Sequence, residues 1–345
     1  MSSTQPTEHS EQDRPPHPGR PGAAGPGSRP IRPRRRRPVA LVAGASRGLG
    51  LLIAKDLVRR GFDVAVCARN EKTLEQAAKR LQAVDQRVRV LAQVCDVADP
   101  DAVTAFVDRA WTELGPVQVA IHVAGIIQVG PWQATRRESF EKAVDVMLWG
   151  PVNLALAVVP RMVERGRGRF GVVASVGGKV APPRLLPYSV AKFGSVALAE
   201  GLAAELAGTG VTSTLLVPGL MRTGSHTQAT FFGDPARQYA WFAPSASLPL
   251  LSMNAERAAS KMVTAVLRGR RVVHLSALSK VATRVHGLAP STTVRVMELV
   301  SRVLPKGEDP EVVDGRTARQ ALGSPLVDRL TALGDRAARS GTEPS

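Results

Sequence analysis

The apolar positions of this chain fall into short unbroken runs, separated by longer stretches in which they recur every three or four residues. The first run, Val39-Ala40-Leu41-Val42-Ala43, has no polar side chain to turn towards water, as expected of a strand buried on both faces. Similar runs lie at 64–68, 88–94, 117–123, 169–174, 211–217 and 271–275. Between them the 3.6-residue period predicts helices ending near Arg60 and over 71–84, 101–114, 139–165, 188–209 and 255–268. Strict alternation of buried strand and helix predicts an α/β fold. The expected form is a Rossmann-like, doubly wound, mostly parallel seven-stranded sheet with helices on both faces.

The flanks read differently. Residues 1–37 are rich in Pro, Gly, Ser and Arg and predict a disordered basic tail ahead of a single catalytic domain at 38–275. Residues 276–307 predict two amphipathic helical pieces divided at Pro290. Their apolar positions include Val281, Val285, Leu288, Val294, Met297 and Val300, with Arg284, Arg295 and Arg302 among them. An extra helix packed on the body is the plainest reading; a lid, a dimer element and a membrane-surface contact are the alternatives. Residues 308–345 predict a flexible tail.

Charge narrows the partners. The formal net charge is +17, and residues 1–38 alone hold eight arginines against three acids, densest at Arg34–Arg37. No basic stripe is interleaved with aromatics, so a specific nucleic-acid partner is not expected. A solvated tail is the plain reading, contact with an anionic surface the alternative. Cys67 and Cys95 sit in apolar runs as small buried hydrophobes, and the six histidines show no ligand spacing, so no metal site is expected. The longest uncharged run, Val146 to Pro160, is too short for a membrane span, and the N-terminus lacks the apolar core of a secretory signal. A cytoplasmic chain follows, with peripheral membrane contact through the basic tail or the C-terminal helices as the alternative.

The first strand ends in Gly44-Ala45-Ser46-Arg47-Gly48-Leu49-Gly50. Three glycines at a strand-to-helix junction let the backbone turn tightly and bring a pyrophosphate onto the N–H groups of the next helix. The second strand ends in Cys67-Ala68-Arg69-Asn70, with no acid to receive ribose hydroxyls. Arg69 and Arg47 instead offer two cations for a 2′-phosphate, which favours NADP(H) while leaving NAD(H) possible. Further along stand Ser175, just after the fifth strand, and Tyr188 and Lys192, four apart on one helical face. A neighbouring ammonium lowers the pKa of a phenol and makes it a workable proton donor and acceptor, and a strand-end serine can bond a carbonyl or alkoxide.

Together these motifs resemble the short-chain dehydrogenase/reductase family over residues 38 to 275. The resemblance implies catalytic roles for Ser175, Tyr188 and Lys192. It implies cofactor contacts from Gly44, Ser46, Arg47, Gly48, Leu49, Gly50 and Arg69. Asp96 and Val97 would lie at the adenine, and Ala124, Gly125, Pro218, Gly219, Thr223, Tyr188 and Lys192 at the nicotinamide end. It also implies dimers or tetramers built on the helices near 139–165 and 188–209. Two departures stand out. The family's Asn-Asn-Ala-Gly reads His122-Val123-Ala124-Gly125, and the asparagine whose backbone carbonyl holds a relay water is Met147. The carbonyl survives that substitution but the bracing amide does not. The chemistry expected is hydride transfer between a nicotinamide and the carbonyl or secondary alcohol of an apolar substrate, lipid-, steroid- or terpenoid-like. The aromatic-rich segment after Thr223 is the ground for that substrate class. A cofactor-bound sensor or scaffold with weak turnover is the alternative.

Overall fold

The computed structural model describes residues 37–247 and 252–337. The predicted disordered tail therefore lies outside the described residues, except for Arg37, whose guanidinium pairs with Asp85 at 3.4 Å.

In chain order the strands are β1 (Val39–Ala43), β2 (Asp63–Ala68), β3 (Val90–Val94), β4 (Val117–His122), β5 (Gln128–Val129), β6 (Gly168–Val173), β7 (Val211–Val217), β8 (Leu220–Arg222), β9 (Thr230–Gly233), β10 (Ser252–Asn254), β11 (Val272–His274) and β12 (Asp309–Asp314). Seven of them form one sheet in the order β11-β7-β6-β4-β1-β2-β3, with every neighbouring pair parallel. The order reverses between β1 and β4, and ligands of such sheets bind outside the carboxyl ends of the strands at that reversal.

The helices are α1 (Gly48–Arg59), α2 (Glu71–Gln82), α3 (Pro100–Glu113), α4 (Arg137–Val144), α5 (Gly150–Glu164), α6 (Leu186–Glu205), α7 (Pro235–Ser247), α8 (Ala255–Leu267), α9 (Ala277–Leu288), α10 (Pro290–Val303), α11 (Gly315–Leu322) and α12 (Pro325–Ala337). Asn70 and Asp99 cap α2 and α3 by accepting from backbone N–H groups, with Pro100 opening α3. The two-residue period of a strand divides β1 between two cores. Val39, Leu41 and Ala43 pack with Phe106, Leu154 and Ala199 of α3, α5 and α6. Ala40 and Val42 pack with Leu51, Leu74 and Met262 of α1, α2 and α8.

A five-residue π-helical turn, Asp145–Trp149, joins α4 to α5 in one helix from Arg137 to Glu164. That helix is long and apolar enough to cross a membrane by length and composition, and half of its apolar window is buried within the fold. The helix expected over 139–165 is found with nearly those ends, and the uncharged run Val146–Pro160 is only part of its apolar window.

The C-terminal expectation is corrected. Residues 309–337 form β12, α11 and α12, while 338–345 lie outside the described residues. β12 pairs antiparallel with β9, and Ala318 and Val327 enter a third core with Phe231, Tyr239 and Phe242. The hold is also polar. Buried His226 meets Asp335 at 3.1 Å, and Asp335 accepts from Arg319 at 3.1 Å. Sparse apolar residues hid this segment from a periodicity argument. The extra helices also differ from the plain expectation: α9 buries only Ser279, and α10 buries no residue.

Candidate active site

The glycine turn is shaped by contacts that exclude a side chain. Gly44 has φ +90°, and a Cβ there would stand 2.5 Å from the backbone N of Ala124. At Gly50 a Cβ would stand 1.9 Å from the carbonyl oxygen of Gly44. The amides of Gly44 and Ala45 both donate to the Cys67 carbonyl, at 3.0 and 3.1 Å, which fixes the turn to β2. No side chain caps α1, so its first N–H groups are left directed out of the turn. A positive helix terminus beneath a side-chain-free turn fits a dinucleotide pyrophosphate. Ser46, Leu49, Ala124 and Gly125 all belong to this corner between β1 and β4.

The two expected phosphate cations have different side-chain partners. Arg69, just past β2 and exposed, faces the half-buried Asp96 at 4.0 Å. Arg47 donates to Gln228 Oε1 at 2.6 Å, which ties the glycine loop to the segment after Thr223. Asp96 itself accepts from the Ala98 amide at 3.0 Å, and Val97 is buried beside Gly150.

At the carboxyl edge of β6 the catalytic candidates converge. Ser175 Oγ accepts from the Gly177 amide at 3.1 Å. Burial pushes the Tyr188 phenol's pKa upward, and the nearby Ser175 hydroxyl partly counters it. Lys192 is 4% exposed, donates to the Val173 carbonyl at 2.8 Å and stands 5.9 Å from the Tyr188 ring centroid. Desolvation lowers its pKa to about 8. Gly177 and Gly178 make this packing possible, although the sequence reading passed them over. A Cβ at Gly177 would lie 3.0 Å from the Tyr188 ring, and one at Gly178 would lie 2.5 Å from the Lys192 carbonyl. Pro218 accepts from the Val176 amide at 2.9 Å, and Thr223 is buried two residues from Ser225, whose amide bonds its hydroxyl at 3.3 Å.

The departures cluster here as well. Met147 is fully buried inside the π-helical turn, which disrupts the regular ladder at the position singled out in the sequence. Its carbonyl accepts the Ser195 hydroxyl, a partner that sequence reasoning missed, so one lone pair of the expected relay oxygen is taken. Its thioether packs against Gly125: a Cβ on that glycine would be 3.5 Å from the sulfur and 3.8 Å from Lys192 Nζ. Sulfur and ammonium thus both border the Gly125 Cα, with a thioether where the family carries an amide. His122, at the end of β4, is 1% exposed, and its Nε2 has no hydrogen-bond partner. Burial, and secondarily the charge of Lys192, hold its pKa down at about 3.

The aromatic residues after Thr223 do not all face the cleft. Phe231, Tyr239 and Phe242 pack edge to face on one another under α11 and α12, forming the interior of that segment. Cys67 and Cys95 are free and buried, as expected, and no cluster of metal-ligating residues occurs among the described residues.

Comparison with known proteins assigns the class. The family model "short chain dehydrogenase" matches residues 38–230, more than half of the chain. The chain belongs to the short-chain dehydrogenase family, and is a nicotinamide-dependent oxidoreductase of carbonyl and alcohol groups. It is 36% identical over 192 residues to the ketoacyl reductase 1 assigned to the granaticin polyketide synthase of Streptomyces violaceoruber, covering 54% of this chain and 69% of that one. Among solved structures it resembles a single-site variant of actinorhodin polyketide ketoreductase with NADPH, at TM-score 0.61 and 28% identity over 69% of this chain and 95% of that one. A short-chain dehydrogenase from Streptomyces avermitilis superimposes at TM-score 0.65 and 27% identity, over 77% and 97% of the two chains.

Proposed function

We propose that this protein is an NADP(H)-dependent ketoreductase of apolar substrates, using Ser175, Tyr188 and Lys192. The observation that carries the reading is the convergence of those three side chains at the β6 edge, beside a turn that admits no side chain. Bound nicotinamide would supply or accept the hydride. Tyr188 would give its proton to the developing alkoxide, Ser175 would hold the carbonyl oxygen, and the Lys192 ammonium would stabilise the phenolate left behind. Gly44, Ser46, Arg47, Gly48, Leu49 and Gly50 would hold the pyrophosphate, with Asp96 and Val97 at the adenine. Ala124, Gly125, Pro218, Gly219 and Thr223 would line the nicotinamide end.

Arg69 at the end of β2, the absence of an acid in Cys67–Asn70 and Arg47 in the glycine loop support NADP(H), as does the NADPH carried by the related ketoreductase structure. Replacing Arg69 with Ala is expected to raise KM for NADPH at least about tenfold, with KM for NADH little changed. Equal effects on the two cofactors would remove the argument. The apolar substrate class, lipid-, steroid- or terpenoid-like, rests on the half-buried Ile126, next to Gly125, and on the keto-reductase relatives. An NADPH-oxidation screen over apolar ketones against hydrophilic sugars tests it directly. Retained NADPH binding with no turnover on any ketone would favour a sensor or scaffold, a reading that Met147 alone supports.

Met147→Asn replaces the thioether beside Gly125 with an amide. It is expected to move the alkaline limb of kcat/KM upward from about pH 8, because less desolvation restores the ammonium. An unmoved limb would show that the thioether does not set it.

Assembly as a homodimer or homotetramer is supported by exposed Trp149 and Leu156 on the Arg137–Glu164 helix, and by Val190 and Phe193 on α6. The cytoplasm, with peripheral membrane contact, is the location proposed.

A further inference from the structure

Helices α9 and α10 are rich in aliphatic side chains that the fold does not cover. Leu278, Val281, Val285 and Leu288 recur at intervals of three and four along α9, all exposed, with Leu288 at 89%. Val296, Leu299, Val300 and Val303 do the same along α10, with Val303 at 82%. At about 100° per residue, Lys280 and Arg284 run along one border of the first stripe, and Arg295 and Arg302 along one border of the second. Residues 277–306 hold five cations and one acid, Glu298.

An aliphatic stripe edged with long cationic side chains is the cross-section of a helix lying in a membrane interface. The aliphatics enter the acyl boundary while Lys and Arg stems reach outward to phosphates. A second copy of the same surface is a poorer occupant, since an isologous contact would set this net positive charge against itself. We propose that α9 and α10 dock the protein on an anionic phospholipid surface. The helix pair is tied at both ends to the site. Ser279, in the capping box that opens α9, donates to the Val217 carbonyl at 3.5 Å, one residue before Pro218. Arg184, in the loop before Tyr188, donates to the carbonyls of Pro305 and Leu304 at 3.0 and 3.2 Å, just beyond α10. Docking therefore sets the cleft at the lipid surface, where apolar ketones partition. That consequence rests on the proposed substrate class; the docking itself does not.

The test is vesicle co-sedimentation of the full chain without cofactor or substrate. Phosphatidylcholine vesicles are compared with vesicles that also contain phosphatidylglycerol, and wild type with the double variant Leu288→Asp, Val303→Asp. Both positions are exposed, so folding is not at stake, and circular dichroism checks it. The expected result is salt-sensitive binding to the anionic vesicles that falls at least about tenfold in the variant. Wild-type binding by the variant would overturn the proposal and assign any lipid affinity to the basic N-terminal segment. No binding by either protein would overturn it too, as would a wild-type oligomer, seen by sedimentation velocity, that the double variant dissociates. NADPH oxidation with a water-soluble ketone, measured separately, reports on the reductase reading whichever way the vesicles decide.

Discussion

Replacing Tyr188 with Phe is expected to lower kcat by about 10³-fold, in the middle of the range for losing a positioned general acid. NADPH binding, followed by fluorescence titration, should be nearly unchanged. The substitution deletes one hydroxyl on the Ser175 side of the site and leaves the ring packed against Gly177. The wild-type pH profile carries the second half of the expectation. Reduction needs Tyr188 protonated and Lys192 charged. Burial pushes the phenol upward and brings the Lys192 pKa down to about 8, so the lysine is the first of the two to lose its proton as pH rises. kcat/KM for ketone reduction should therefore be flat below about pH 8 and fall above it. A profile unchanged to pH 10, or a Phe variant with wild-type turnover, would move the proton chemistry elsewhere.

The sheet was legible because its strands are buried on both faces and therefore read as unbroken apolar runs; Val39–Ala43 and Val211–Val217 are found with the expected ends. The catalytic candidates were legible because each has a fixed place on an element: Ser175 one residue past a strand end, Tyr188 and Lys192 one helical turn apart. What the sequence hid are contacts between residues far apart in the chain. Ser195 reaches the Met147 carbonyl, Gln228 reaches Arg47, and His226 reaches Asp335 across 109 positions. No local period encodes such pairs. The same limit explains the C-terminus, where short elements with few apolar residues are held by pairing with β9 and by buried polar groups. It also explains the aromatic segment after Thr223, whose composition suggested a cleft lining but whose rings pack inward.

His122 makes the largest stability prediction. It occupies the first position of the family's Asn-Asn-Ala-Gly segment, with Gly150 making the space: a Cβ there would lie 2.7 Å from the imidazole Nε2. Enclosed and beside the Lys192 charge, the ring is held neutral, with a pKa of about 3 against 6.5 when unfolded. Between these values the unfolded chain binds a proton that the folded chain refuses, so stability rises with pH through that window and is lost as pH falls. Each unit is worth about 1.4 kcal/mol, and by pH 4 the loss from this one residue reaches about 3 kcal/mol, a large part of a typical folding free energy. His122→Asn removes the titrating group. Urea denaturation of both proteins from pH 7 to pH 4 at constant ionic strength separates this effect from the carboxylates, which the two share. The stability difference should grow in favour of the asparagine variant as the medium is acidified. Two parallel curves would mean that His122 is protonated in the folded chain, and that the pocket beneath Gly150 is wet.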